Sequence, residues 1–133
     1  MEKSDADHAM QLLEMAGKDF RALSNMQDPV DFPEEVFGFH AQQVIEKTLR
    51  AWVTVLHLSY PKSHDISRLV QILENAGEDV TRFPDLDAYS VFAVQYRYEA
   101  YDEGGERLDR DAVVNGTREF MSHVRHVIER APS

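Results

Sequence analysis

Six polar side chains, His40, Gln43, Lys47, Arg50, Thr54 and His57, recur at spacings of 3, 4, 3, 4 and 3, the repeat that lines one face of a helix. Projected at about 100° per residue, they fall within about 100° of arc. Lys and Arg are the side chains that hold phosphate oxygens, Arg through a planar fork and Lys as a point charge. The stripe therefore reads either as a plain solvent face or as a phosphate- or nucleotide-facing surface. His64-Asp65 is a second candidate: at a helix start it either supplies a cap and a structural hydrogen bond, or contacts a phosphate at the open N–H groups. His40, at the border of the polar and apolar faces, suits a structural bond near His64-Asp65 as well as a ligand contact. Arg97, on the Ala93 side of its segment, suits an internal carboxylate or a phosphate.

Other constellations carry less. His123 and His126, three apart, could share a surface metal, but no third ligand accompanies them. Tyr96, Tyr98 and Tyr101 could stack on a base, or fill a core or a dimer interface. Gly104-Gly105 lies between acidic clusters and reads as a turn, not as a phosphate loop.

Helices must position these groups. Ala6, Met10, Leu13, Ala16, Phe20 and Leu23 recur at spacings of 4, 3, 3, 4 and 3, predicting an amphipathic helix over about residues 5–24. Pro29 and Pro33 interrupt it, and Pro33 suits the first turn of the next helix. That second helix is expected from about Glu34 to Ser59, stopped by Tyr60-Pro61. Its apolar residues, from Phe37 to Leu56, cover nearly half the circumference, enough to meet several neighbours and leave room for a dimer contact. A short helix capped by Ser63 or Asp65 should run through Leu73 and end at Gly77. Further helices are expected from Leu86 to about Tyr101 and from about Asp109 to Arg130, the last with Val113, Thr117, Phe120, Val124 and Val127 on one face. Alternating strand patterns, internal repeats and long linkers are absent. A single domain over residues 1–133 results, an all-α, up-and-down antiparallel bundle of four to five helices.

Composition narrows the function. The 133 residues carry 14 basic and 24 acidic side chains, a net charge of −10. Residues 1–46 alone hold 3 basic and 10 acidic groups. Such a surface opposes general nucleic-acid binding, which rests on attraction to phosphates. There is no Cys, hence no disulfide, thiolate metal site or cysteine nucleophile. No apolar run is long enough for a membrane helix, and Met1-Glu2-Lys3-Ser4-Asp5 lacks the apolar core of a signal peptide. A cytoplasmic location, no membrane and no cofactor are the expectations.

Three ordered motifs then become specific. Phe39-His40-Ala41-Gln42-Gln43-Val44-Ile45-Glu46-Lys47-Thr48-Leu49-Arg50-Ala51 resembles the signature of HEPN domains, the higher eukaryote and prokaryote nucleotide-binding family. Ser63-His64-Asp65-Ile66 followed by Leu69 resembles the family's turn into its third helix, and Tyr89 through Arg97-Tyr98 resembles the segment beyond it. The resemblance covers about residues 5–130. It implies an all-α bundle, commonly homodimeric, associated with nucleotides or RNA, and often a partner of a minimal nucleotidyltransferase in toxin–antitoxin-like pairs.

The family also contains metal-independent ribonucleases, marked by Arg, four to six intervening residues, and His. Arg118 with His123 and Arg50 with His57 match formally, but chance supplies about as many. Five positions along a straight helix set Arg118 and His123 about 140° apart. Aligned by the family motif, the Arg falls on Arg97 and the expected His on Asp102, beside Glu99 and Glu103. A carboxylate there lacks the imidazole needed for acid–base work on RNA. The sequence thus favours a non-catalytic domain that binds an ATP- or GTP-class nucleotide through His40, Gln43, Lys47, His64, Asp65 and Arg97. The alternatives are a ribonuclease using Arg97 or Arg118 and His123, and a structural dimerisation module.

Overall fold

The computed structural model describes residues 4–60, 62, 65–81, 83 and 109–131. Among them are four helices and no strand: α1 (Asp5–Ser24), α2 (Glu34–Val55), α3 (Ile66–Asn75) and α4 (Arg110–Arg130). The expected helix over 86–101 lies outside the described residues. α1 and α2 are antiparallel, since Asp5 meets His57 at one end and Asp19 meets Lys47 towards the other. α4 runs in the direction of α2: Arg110 lies over Phe37 near the start of α2, while Val127 and Arg130 share a cavity with Val55, Leu56 and His57. The all-α bundle expected from periodicity is therefore the fold observed.

Local chemistry sets the helix limits. Ser4, Asp65 and Asp109 cap α1, α3 and α4 by accepting from the backbone N–H of Asp7, Ser67 and Ala112, satisfying donors that have no partner inside the helix. α3 ends where Gly77 turns to φ 87° and the Glu78 N–H reaches the Leu73 carbonyl. α2 ends in the same way, but with a histidine. His57 adopts φ 62°, its N–H donates to the Thr54 carbonyl, and the Leu58 N–H donates to Val53. This left-handed cap normally takes Gly, so the sequence expectation of a helix to Ser59 overran the true end at Val55.

α2 is the central helix, packed against each of the other three. Fifteen of its 22 residues are buried, including Phe37, Ile45, Leu49 and Trp52. The core has two parts. Leu23, Met26, Phe37, Val44, Val113 and Val114 fill the end near the α1–α2 connection. Leu13, Ile45, Leu49, Trp52, Leu69, Leu73, Phe120 and Val124 fill the remainder.

A buried arginine closes the first part. Arg110, 8% exposed, donates to the Met26 carbonyl and to the Phe32 carbonyl, each at 2.7 Å. Its guanidinium lies over the Phe37 ring at 4.8 Å. The two bonds tie both ends of the 26–32 connection to the start of α4. Replacing Arg110 with Ala leaves two carbonyls without their charged donor, and urea unfolding should show a loss of about 3 kcal/mol. A loss below about 0.5 kcal/mol, the range of ordinary surface changes, would show that the clamp contributes nothing.

Candidate functional site

Phe39, His40, Gln43 and Lys47 share one arc of about 100° on α2, the side least covered by described residues. Phe39 is 36% exposed, and His40, Gln43 and Lys47 are half-buried. The Phe39 and His40 rings meet edge to face, 5.6 Å between centroids. His40 Nδ1 is fully buried yet has no hydrogen-bond partner. Such an atom forfeits its hydration without compensation, and in native proteins it calls for an explanation such as an ordered water, an ion or a functional role. The face thus combines an aromatic ring, an unsatisfied imidazole nitrogen, an amide and an ammonium group.

The positive charge expected along this face is largely spent. Lys47 Nζ contacts Asp19 Oδ2 of α1 at 2.5 Å. Arg50 Nη2 donates to Glu46 Oε1 at 2.9 Å, and its guanidinium lies over the Tyr60 ring at 5.5 Å. Glu46, the acid that holds Arg50, is itself in the interior at only 2% exposed. Thr54 is buried too, and His57 lies past the end of α2 with Nδ1 2.5 Å from Asp5 Oδ2. The six-residue polar stripe is corrected to the shorter His40–Gln43–Lys47 face. The reason is position: a helix surrounded by others meets carboxylates from its neighbours and from its own preceding turn. Asp19 was missed in the sequence, although it sits at the edge of the α1 apolar stripe where an acid meets a neighbouring helix.

The remaining candidates are dispersed. Asp65 is exposed and caps α3; His40 forms no hydrogen bond to it. His64, Arg97, the Tyr96, Tyr98 and Tyr101 group and Gly104-Gly105 lie outside the described residues. Arg118 is exposed, accepted by Asn115 Oδ1 at 2.8 Å and stacked over Phe20 of α1 at 5.4 Å. His123 points elsewhere, against Trp52 at 5.1 Å and Phe83 at 5.5 Å between centroids. Within one chain, then, Arg118 and His123 are not brought together, as the 140° offset required. His126 is exposed, and no group of three or more metal-ligating side chains occurs among the described residues. Among the same residues, no helix is long and apolar enough to cross a membrane.

The HEPN domain family model matches residues 9–127, and the chain belongs to that family. No curated protein and no solved structure gives a significant match. Membership supports the general association with nucleotides or RNA that the motifs implied, while the roles of individual residues rest on the geometry above.

The placement of His123 has a measurable consequence. His123→Ala should lower stability by about 1–2 kcal/mol through lost contact with Trp52 and Phe83, whereas Arg118→Ala should stay within about 0.5 kcal/mol. Urea unfolding separates the two. An EDTA-resistant RNA cleavage abolished by both substitutions would instead restore the ribonuclease alternative.

Proposed function

We propose that this HEPN domain binds a nucleotide along the outward face of α2, as a non-catalytic, substrate-holding partner of a nucleotidyltransferase. The observation that carries the proposal is the buried, unpartnered His40 Nδ1 beside the half-exposed Phe39 ring. A nucleobase on Phe39 would stack on an aromatic surface and place a polar edge near His40 and Gln43. Lys47 lies two turns along α2, within reach of a phosphate. Because Lys47 already contacts Asp19, the phosphate must displace a carboxylate, and the affinity carries that cost. His64 and Arg97 join the site as sequence-based candidates, and Asp65 as the cap that orients the start of α3. A cytoplasmic setting, a homodimer and a toxin–antitoxin-like pairing belong to the same proposal.

Thermal unfolding in the presence of ATP, GTP and their mono- and diphosphates is the test. A nucleotide at 100 times its Kd should stabilise the fold by about 2.7 kcal/mol. His40→Ala and Lys47→Ala should each abolish the shift. Asp19→Asn removes the carboxylate that competes for Lys47 and should strengthen binding, even though the fold loses an ion pair. No shift with any nucleotide would refute the proposal, and weaker binding in Asp19→Asn would refute the assigned role of Lys47.

A further inference from the structure

Val30 is 86% exposed, the most open large hydrophobic side chain among the described residues. A lone exposed valine needs no explanation, but the backbone beneath this one is held unusually firmly. The Val30 N–H donates to Asp28 Oδ1 at 2.8 Å, and the Phe32 N–H donates to the Asp28 carbonyl at 2.9 Å. Arg110 then fixes Met26 and Phe32, the residues on either side of the tip, from below. Pro29 and Pro33 remove further backbone freedom. A buried guanidinium, two prolines and a side-chain bond thus present one apolar group to solvent. Val36, 38% exposed in the first turn of α2, adds a second apolar group six residues on.

The 26–36 segment itself carries charge of one sign, with Asp28, Asp31, Glu34 and Glu35 and no Lys or Arg. Between Arg21 and Lys47 the sequence contains no Lys or Arg. Asp28 and Asp31 are exposed and Glu35 is half-buried. Arg110, whose guanidinium bonds the carbonyls on either side of the tip, is buried and directed at them. A second copy of this chain would bring acid against acid, a juxtaposition that costs affinity.

We infer that the Asp28–Phe32 tip and the first turn of α2 form a docking surface for another protein, one presenting an apolar socket with a Lys- or Arg-rich rim. Val30 enters the socket, Val36 extends the contact, and Asp31 and Glu35 meet the rim. Because the tip is already fixed, docking orders little chain, which favours affinity. Val36 lies one turn before His40 on the same face of α2, but Val30 and Asp31 lie on the connection outside that helix, so variants at these two positions test the docking surface without altering the proposed nucleotide contacts.

The test is amide-resolved NMR titration of the full chain with three synthetic peptides of equal length: alternating Lys/Leu helical faces, Glu/Leu, and Lys/Ser. The Lys/Leu peptide should shift amides over residues 28–36 and the other two should not. Val30→Ser should weaken that binding about tenfold, the transfer energy of one buried valine, with unchanged thermal unfolding because Val30 is 86% exposed. Asp31→Asn with Glu35→Gln should weaken it too and flatten its salt dependence. Equal binding of Lys/Ser, shifts spread over the acidic surface, or no shift at residues 28–36 with any peptide would each overturn the inference. So would a dimer in sedimentation that Val30→Ser converts to a monomer, since the occupant would then be a second copy.

Discussion

The burial of α2 on most of its circumference is the constraint from which the remaining features follow. A helix so enclosed cannot leave its polar groups to water, and each one it carries must find a partner inside the fold. Thr48 turns its hydroxyl back to the Val44 carbonyl at 2.7 Å. Glu46 holds Arg50, and Lys47 takes a carboxylate from α1. His40 Nδ1 is buried without a partner. The proposed site is therefore defined less by charge than by a buried imidazole nitrogen that forms no hydrogen bond.

The same constraint explains the division of labour at the two ends of the bundle. At the α1–α2 connection the chain reverses through a segment with few hydrophobic anchors of its own, and a cation from α4 supplies the missing hold on its carbonyls. Charged donors make stronger bonds to carbonyls than neutral ones do, and Arg presents two parallel donors where Lys would present one compact charge. Among the described residues, no such clamp is seen at the opposite end. There α2 stops by backbone geometry, with His57 in a left-handed conformation and its ring against Asp5. That contact is exposed, and exposed ion pairs contribute little.

Much of this was legible in the residues. Apolar repeats at helical spacing located α1 and α4 almost to the residue, while Asp65 and Gly77 marked the limits of α3 and Asp109 the start of α4, because each acts locally, within three positions of its own backbone. The end of α2 was not legible, since a histidine performed the work of a glycine. The site was legible in its motif and illegible in its electrostatics. Periodicity ranks residues by direction on one helix and is blind to what the neighbouring helix brings, so Lys47 and Arg50 read as free cations while Asp19 passed unnoticed. Arg118 and His123 show the converse. Their angular separation, a property of one helix alone, was enough to forecast that they would face different neighbours.

The chain has a single tryptophan, and its surroundings make it an optical reporter. Trp52 is 2% exposed, donates Nε1–H to Glu78 Oε1 at 3.1 Å, and touches Phe120 and His123 of α4. Its indole therefore sits where α2, the segment after α3, and α4 converge. Its emission colour responds to the water that enters when these elements part. The His40–Gln43–Lys47 face and the Val30 tip are elsewhere. Light from this one ring thus follows the integrity of the central junction, and any change it registers on ligand addition has travelled through the packed core of α2.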